Sequence, residues 1–335
     1  MKENFFIHII VLGYGQFTTT TQRCIESLLI ELDRHDVCIT VIDNSSPDRS
    51  AELQSEYLRK YPKIKGVYLN ENLGFAGGMN FGASIKESTW LLLMGSDTIF
   101  TDGSFDILYR TLVNLPPKIS IVGPVTNEAG TSQKLDLKGS NPSEILAQFK
   151  KIFPSNSNLI TPLYRADFFC VAIRKVVWDQ LRGLDLSYGK GYYEDFDFSL
   201  RAKEIGHDIV MLEDVLVFHS GSSSFKLDPK QKSLIKGNKN KFIKKFPNAE
   251  LRHRREDNIQ VLYYYLSSKN LLNTAINKKI SFRMIMAKND FPKSFWKKLF
   301  WKMKLNKIEK EIHLLLNNTL QACLIVNMII SWLID

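Results

Sequence analysis

Short apolar runs typical of β-strands alternate with segments of helical periodicity through the first two thirds of this chain. The runs predict strands at residues 5–12, 37–42, 64–69, 90–94 and 119–122. Between the first two, Cys24, Leu28 and Leu32 share one side of a helix predicted over 18–32. Alternation at such short spacing is typical of a mixed, mostly parallel sheet flanked by helices. The sequence therefore predicts an α/β fold for this part of the chain.

Polar clusters follow three of the predicted strands. Asp43 and Asn44 end the second strand in VIDNSSPD, and Asp97 ends the fourth in LLLMGSDT. The third strand runs into a glycine-rich turn, NENLGFAGGMNFGA, over residues 70–83. Glycines let the backbone approach a ligand closely, and open α/β sheets bind ligands at the carboxyl ends of their strands. We therefore expect a binding site at this edge of the sheet.

The stretch GYYEDFDFSLRAKEIGHDIVMLEDVLVFHSG, residues 191–221, carries a fourth polar group. It places Glu194, Asp195 and Asp197 at the start of a predicted helix. His219 follows at the end of the second of two short strand-like runs. Carboxylates can act as general bases, and carboxylates with histidine can hold a metal ion. These residues are candidates for a reaction centre.

In this order, the four segments resemble those of family 2 glycosyltransferases with the GT-A fold. They are most similar to bacterial rhamnosyltransferase-like enzymes of cell-surface polysaccharide synthesis. The resemblance covers residues 5–225, about two thirds of the chain. It implies a GT-A-like, Rossmann-like catalytic domain over 1–225 and a mainly helical, basic C-terminal region over 226–335.

The resemblance implies that a nucleotide-sugar donor binds at the first polar clusters. In the family, the aspartate that matches Asp43 bonds the nucleobase. The pattern N-x-G-x-[AG]-x-[AG]-x-N-x-G is met almost completely from residue 72 to 82. The donor-binding residues expected on this basis are Asp43, Asn44, Asn72, Gly74, Phe75, Asn80 and Ser96. Taken alone, Asp43 is explained as well by an Asx-turn, and some of the glycines by helix–sheet packing.

Asp97 and His219 are the expected ligands of a divalent cation, Mg²⁺ or Mn²⁺, on the donor diphosphate. Such a cation neutralises charge on the leaving group. Enzymes of this fold usually carry D-x-D or a variant such as N-P-D, whereas Gly95 occupies the first of these positions here. A lone histidine is more often structural, so the hypothesis for His219 depends on the resemblance.

The resemblance assigns the general base to the aspartate of an E-D pair, here Asp195. Glu194 and Asp197 are expected to orient the acceptor or to hold the loop. The base takes the proton of an acceptor hydroxyl as that hydroxyl attacks the anomeric carbon with inversion. Acidic residues at a helix N-terminus also stabilise the helix without any catalysis. That alternative applies most to Asp197, which has the i,i+4 spacing for an ion pair with Arg201.

Two other functions stay open. A nucleotidyltransferase shares the broad fold but favours a basic residue in the loop after the first strand, and VLGYGQFTTT has none. A non-catalytic sugar-nucleotide-binding or scaffold subunit would account for Gly95. The E-D pair and the donor segment argue against both alternatives.

The C-terminal region is basic, whereas the rest of the chain is nearly neutral. Residues 251–335 contain 15 Lys and Arg against 6 Asp and Glu, and the other residues contain 30 against 29. In FPKSFWKKLFWKMKLNK, lysines alternate with aromatic and aliphatic residues, as in a helix lying on anionic lipid. The alternative is a helix packed on the catalytic domain with a solvated lysine face. We expect peripheral membrane contact through 277–334 and no nucleic-acid partner, since no motif for one is present.

Residues 320–334 are apolar but short for a transmembrane span. Three roles stay open for them: a homo-oligomer contact, a docking helix or a shallow membrane anchor. No signal peptide is evident, and the four cysteines lack paired or metal-like spacing. We therefore expect a cytoplasmic protein at the inner membrane face, acting on a polysaccharide or lipid-linked glycan acceptor.

Overall fold

The computed structural model of the 335-residue chain describes residues 5–153, 159–221, 231–267 and 274–334. The side chains of the predicted apolar segment 320–334 lie outside the described residues. The chain divides into two compact units. The first comprises Met1–Gln148 and Asn158–Leu251, and the second comprises Phe149–Ser157 and Arg252–Asp335.

All the strands belong to the first unit. They are β1 (Ile7–Gly13), β2 (Val37–Asp43), β3 (Ile64–Tyr68), β4 (Trp90–Gly95), β5 (Thr98–Phe100), β6 (Ile119–Val125), β7 (Ile160–Pro162), β8 (Cys170–Arg174) and β9 (Asp208–His219).

The helices alternate with these strands and then continue alone. They are α1 (Thr21–Glu26), α2 (Glu31–Arg34), α3 (Ser50–Leu58), α4 (Gly74–Ala83), α5 (Ser104–Asn114), α6 (Pro142–Ile152), α7 (Lys175–Gln180), α8 (Glu194–Glu204), α9 (Gln231–Lys245), α10 (Arg254–Ser267), α11 (Thr274–Asn289) and α12 (Phe295–Ile334). A single 3₁₀ turn, Leu186–Tyr188, precedes α8.

The strands form one mixed sheet in the order β3-β2-β1-β4-β8-β6-β9-β5, with β7 beside β9. The half from β3 to β4 is parallel. β8 runs antiparallel to both β4 and β6, and β9 runs parallel to β6. In register, Gly13 pairs with Asp43, and Leu12 pairs with Gly95. The predicted mixed sheet flanked by helices is confirmed, and it sets the ends of β1, β2 and β4 side by side.

The central strand β1 is buried on both faces because helices cover both sides of the sheet. Ile9 and Val11 pack in one core cluster with Cys24 and Ile25 of α1. Ile10 points to the opposite face, as the two-residue period of a strand requires. There it meets α4 so closely that a Cβ on Gly82 would lie 2.6 Å from its Cγ2.

Three segments differ from the sequence expectation. The helix predicted over 18–32 is split into α1 and α2, since the Ser27 hydroxyl donates to the Cys24 carbonyl at 2.7 Å and offers the backbone another partner. The two short runs after Gly206 form one strand, β9, because the polar residues between them are buried and Glu213 accepts from the Thr161 hydroxyl. The region 123–164 is rich in Gly, Pro, Asn and Ser, a composition that predicts an irregular loop, but it contains α6 and β7.

The second unit buries two cations among its helices. Arg283 of α11 donates to the Tyr265 hydroxyl at 3.0 Å and to Asn258 Oδ1 at 2.8 Å. The Lys279 ammonium lies 5.3 Å from the centroid of the Phe153 ring. Burying a charge is costly without partners, so these contacts specify how α10 and α11 pack. No helix within the described ranges is long and apolar enough to cross a membrane.

Candidate active site

Asn44 joins the loop after β2 to the loop before α4. Its side chain is buried. Its Oδ1 accepts from the Leu73 backbone N–H at 3.0 Å, and its Nδ2 lies 3.2 Å from both Asn72 Oδ1 and the Gly74 carbonyl. Asn72 Oδ1 also accepts from the Gly74 N–H at 2.8 Å. Two of the predicted donor clusters are therefore fixed against each other by their own amide side chains.

Asp43 is buried beside Asn44 at the end of β2. Its Oδ1 accepts from the Ser46 backbone N–H at 2.9 Å, and its Oδ2 accepts from the Ser46 hydroxyl. This is the Asx-turn that the sequence left open as the alternative reading of Asp43. Each carboxylate oxygen has further lone pairs, so the turn leaves acceptor capacity for a ligand N–H.

Gly74 brings the start of α4 against the loop that precedes α8. Its φ is +70°, and a Cβ there would lie 2.6 Å from the Gly189 carbonyl oxygen. The next residue, Phe75, donates its backbone N–H to the Lys190 carbonyl at 3.3 Å. Only glycine permits this approach, so the donor segment and the loop before the E-D pair are neighbours.

Asn80 and Ser96 are each hydrogen-bonded to the backbone of another segment. Both polar atoms of the Asn80 amide bond the backbone of Leu184, at 2.8 and 2.9 Å. Ser96 is buried after β4, and its N–H donates to the Leu12 carbonyl at 3.1 Å. In this structure Asn80 holds the turn after α7, which is a positioning role.

Asp97 and His219, the predicted metal ligands, lie in contact although they are far apart in sequence. The Asp97 Oδ2 lies 3.2 Å from His219 Nε2. His219 Nδ1 donates to the Glu128 carbonyl at 2.7 Å, since a carbonyl can only accept. The ring stacks on Phe169 with centroids 5.4 Å apart. Burial opposes protonation of His219, but the hydrogen bond and charge of Asp97 outweigh it and raise its pKa above the ordinary 6.5.

This pair fits a divalent cation in its donor chemistry. The Nδ1 bond to Glu128 fixes the ring and turns Nε2 toward the Asp97 carboxylate, as in histidines that ligate metals. A Cβ on Gly95 would lie only 3.0 Å from Asp97 Oδ1, so a side chain there would adjoin the pair. Within the described part of the chain, no group of three or more His, Cys, Asp or Glu could hold a metal. The pair therefore supplies two ligands, and other oxygens would have to complete the coordination.

The E-D pair opens α8 with two carboxyl groups in different surroundings. Glu194 is buried, and its Oε2 has no hydrogen-bond partner among the described residues. The Asp195 side chain is 22% exposed, and its Oδ1 accepts from the Phe196 N–H at 2.7 Å. Burial and the charge of Asp195 raise the pKa of Glu194 from 4.5 to about 8. Burial raises the pKa of Asp195 to about 6, against the opposing charge of Arg165. Burial thus raises the pKa of both carboxyl groups, and only Asp195 has a cation beside it that opposes the rise.

Arg165 is a site residue that the sequence analysis missed. Its Nη1 lies 2.9 Å from Asp167 Oδ1 and 3.9 Å from Asp195 Oδ2. Its guanidinium stacks over the Phe196 ring, 4.8 Å from the centroid. Asp167 Oδ2 in turn accepts from the backbone N–H of Thr131 at 2.8 Å. No local pattern signals Arg165, because its partner Asp195 lies on a different element of the fold.

Asp197 belongs to a structural cluster, which supports the capping alternative. It is fully buried. It accepts from Arg201 Nε at 2.5 Å and from the Tyr188 hydroxyl at 3.1 Å, and Lys245 Nζ of α9 lies 2.6 Å away. The predicted i,i+4 pair with Arg201 is confirmed. Three partners surround this carboxylate, so it anchors α8 and α9.

The backbone just before the E-D pair is held in an uncommon conformation. Tyr192 and Tyr193 have φ values of 72° and 79°. Such non-glycine conformations cost about 1–3 kcal/mol each and persist only where their surroundings fix them. Asn238 of α9 does so, since its Nδ2 bonds the carbonyls of Gly191 and Tyr192 at 2.8 and 3.1 Å.

One short segment links the E-D pair to the Asp97–His219 pair. Its first residue, Arg165, faces Asp195, and its last, Phe169, stacks on His219 and accepts from the Gly95 N–H at 2.9 Å. Four residue steps span at most about 14 Å. The candidate base and the candidate metal ligands are therefore in contact with the two ends of one five-residue segment.

The sequence over residues 9–180 matches a family model described as Glycosyl transferase family 2. This match covers just over half of the chain. The chain belongs to this family. The predicted membership is confirmed, whereas a rhamnosyl specificity stays a prediction.

Solved structures show the same fold as this family 2 glycosyltransferase. The structure described as GalNAc-T7 with UDP, GalNAc and Mn²⁺ matches with a TM-score of 0.56 and 13% identity, over 83% of this chain and 54% of that one. The mannosyltransferase PcManGT from Pyrobaculum calidifontis, in complex with GDP-Man and Mn²⁺, matches with a TM-score of 0.52 and 12% identity, over 91% and 86%. This glycosyltransferase thus spans about half the length of the first of these. Among curated proteins, no sequence matches significantly.

Proposed function

We propose that this glycosyltransferase moves a sugar from a nucleotide-diphospho-sugar to an acceptor hydroxyl with inversion, using Asp195 as the general base. The observation that carries this proposal is the contrast within the E-D pair. Asp195 is 22% exposed and lies 3.9 Å from Arg165 Nη1, whereas Glu194 is buried and its Oε2 has no hydrogen-bond partner among the described residues. A general base works best when it is ionised at working pH but still basic. Of the two, Asp195 alone has a cation beside it that favours the ionised form, and it alone reaches solvent.

In the proposed step, the acceptor hydroxyl attacks the anomeric carbon and forms a new C–O bond. The bond from that carbon to the donor diphosphate breaks, and the diphosphate leaves with the electron pair. The hydroxyl proton passes to Asp195 Oδ2, since Oδ1 already accepts from the Phe196 N–H. Glu194, whose buried Oε2 has no hydrogen-bond partner among the described residues, is assigned to orient the acceptor.

The donor is assigned to the loops after β2 and β3. Asp43 has acceptor capacity for a nucleobase N–H, and Asn44, Asn72 and Gly74 form the adjoining backbone and amide surface. Phe75, Asn80 and Ser96 complete the proposed donor set. Two solved structures of the same fold hold UDP or GDP-Man, which supports the donor class without identifying the base or the sugar.

A divalent cation, Mg²⁺ or Mn²⁺, is assigned to Asp97 and His219. When bound, it would neutralise developing charge on the diphosphate. Both structures named above contain Mn²⁺, and the chemistry of this pair fits such a cation. Until it binds, Asp97 and the Glu128 carbonyl hold the His219 ring in place.

The acceptor is proposed to be a polysaccharide or lipid-linked glycan at the cytoplasmic face of a membrane. The catalytic role falls to the domain predicted over 1–225, and peripheral membrane contact falls to residues 277–334. The basic composition of 251–335 supports that division. Self-association, one of the roles predicted for residues 320–334, is retained as part of the proposal.

The decisive experiment measures release of nucleoside diphosphate from a panel of nucleotide-sugars, with and without Mn²⁺, and determines the anomeric configuration of the product. We expect one donor to turn over with inversion. Asp195→Asn should lower kcat by about 10²–10⁴-fold and leave the donor Kd unchanged. The control is Asp208→Asn, which changes a half-exposed carboxylate elsewhere.

Retention of configuration, or full activity in Asp195→Asn, would overturn the proposed mechanism. Donor binding without turnover by any acceptor or by water would favour the non-catalytic alternative, for which the glycine at position 95 is the supporting observation.

A further inference from the structure

The start of α12 carries two apolar faces on opposite sides. One face is buried within the second unit and consists of Trp301, Leu305, Ile308 and Ile312. Its Trp301 Nε1 donates to the Ala287 carbonyl at 3.1 Å. These positions recur at the spacing of a helical stripe, so this face explains how α12 packs.

The other face has large side chains that nothing covers within the described residues. We call it the aromatic stripe, and its members are Phe295, Trp296, Leu299, Phe300 and Met303. They are between 43% and 73% exposed. At about 100° per residue, the middle of this stripe lies opposite the buried face. Single exposed apolar residues are ordinary, but a contiguous set of this size marks an interaction surface.

Lysines flank the aromatic stripe on both sides. Lys302 and Lys298 lie on one flank, and Lys304 and Lys297 on the other, by the same helical angles. All four are exposed. The only acidic residues between 295 and 314 are Glu309 and Glu311, which come after the stripe and are partly buried.

The lysines beside the aromatic stripe favour one of two surfaces that could cover it, an anionic lipid surface over a second copy of the chain. A second copy of the chain would bring the same lysines against these and add like-charge repulsion. An anionic lipid surface instead offers headgroups to the lysines and an acyl boundary to the aromatic rings, which sit between the two flanks. Aromatic residues are the side chains preferred at that boundary.

We propose that the aromatic stripe of α12 docks in the plane of an anionic bilayer, with the flanking lysines on the headgroups. The proposed function includes a membrane contact, and this inference identifies the surface of the chain that makes it. It rests on the proposed function only for the acceptor at the membrane. Docking in this geometry lies along the membrane surface and needs no spanning segment.

The test is co-sedimentation of the full chain with vesicles of phosphatidylcholine alone and of phosphatidylcholine with 30% phosphatidylglycerol, without donor or acceptor. We expect binding to the anionic vesicles and at least a tenfold weaker partition for Trp296→Ala/Phe300→Ala. Lys297→Glu/Lys304→Glu should weaken it to a similar degree. The matched control is Val176→Ala, which removes an exposed apolar side chain from α7. Unchanged thermal unfolding of each variant verifies the fold.

Three results would overturn the inference: no binding to anionic vesicles, equal binding to both vesicle types, or unchanged binding by the double variants. A change of oligomeric state in Trp296→Ala/Phe300→Ala, measured by light scattering, would assign the stripe to a second copy instead. Because no sugar donor is present, failure here leaves the proposed transferase activity standing, and failure of that activity leaves this result unaffected.

Discussion

The loops proposed for the donor and the N-terminus of α8 both lie beside the sheet. They differ in how far their polar side chains are hydrogen-bonded. Around Asn44, the side-chain amides are hydrogen-bonded to one another and to the backbone, so they hold the two loops together. At the start of α8, Glu194 has a buried oxygen without a partner in the described chain, and Asp195 faces Arg165 across 3.9 Å. Two residues later, Asp197 has three partners. Side chains with several hydrogen-bond partners hold the fold in place. The carboxyl groups with fewer partners, those of Glu194 and Asp195, are the ones whose protonation can change.

The largest expected effect on this comparison comes from removing the Asp197 carboxylate, which has three partners. Asp197→Ala would deprive Tyr188, Arg201 and Lys245 of their shared acceptor in a buried place. We expect a loss of about 3–5 kcal/mol in the free energy of unfolding, measured by denaturant titration. Asp33→Ala is the control, because its pair with Lys63 is exposed on both sides, and such pairs contribute about 0–1 kcal/mol. A loss for Asp197→Ala no larger than the control would mean that the cluster is not structural.

The second prediction concerns the unpartnered carboxyl of Glu194. Its folded pKa, about 8, lies above the ordinary 4.5. The stability it contributes is therefore complete below about pH 4.5 and is lost as pH rises through about 8. Glu194→Gln cannot ionise, so between pH 5 and pH 9 the variant should lose about 2–4 kcal/mol less than the parent protein.

Thermal unfolding at several pH values measures this effect. Glu204→Gln, at the exposed far end of α8, should follow the parent curve. If Glu194→Gln and the parent protein lose stability in parallel, Glu194 is not buried in its neutral form.

The smallest expected effect concerns Arg165 and tests whether its charge acts on the pKa of Asp195. Its charge opposes the upward shift of the Asp195 pKa. Removing it in Arg165→Gln should raise that pKa, so activity that needs ionised Asp195 should appear at higher pH. We expect the acidic limb of the kcat/KM profile to move up by about one pH unit, and Arg165→Lys should restore most of the original profile.

A merely structural arginine would give a different result. Activity would then fall uniformly at every pH with the limb in place, and Arg165→Lys would not restore it. Arg49→Gln, on an exposed side chain, serves as the control.

The sequence predicted most of the scaffold because each strand is an uninterrupted apolar run with a polar stop. β1, β2, β3 and β4 appear within about two residues of their predicted bounds, and the Asp97–His219 contact follows from two strand ends. The split of the 18–32 helix was not predictable from periodicity, since it depends on the Ser27 hydroxyl bonding back to Cys24. The merger into β9 depended on Thr161, a partner on a separate strand.

The candidate site was predictable in its acidic residues but not in what controls them. Glu194 and Asp195 stood out because carboxylates opening a helix are visible in one dimension. Arg165, Asn238 and Lys245 each have at least one partner on another element of the fold. The contrast in exposure between Glu194 and Asp195 also depends on the tertiary fold, which no local pattern encodes.

The contact between Asp97 and His219 joins residues about 120 positions apart, so the ribosome adds Asp97 to the chain well before His219. A ribosome adding about 5–20 residues per second leaves roughly 6–24 s between the emergence of the two side chains. The parallel half of the sheet, from β1 to β4, can assemble in that interval, whereas β5 must wait for β9 to pair with it. A nascent chain would therefore carry the loops proposed for the donor well before the pair proposed for the cation, so the proposed site can be complete only after β9 is made.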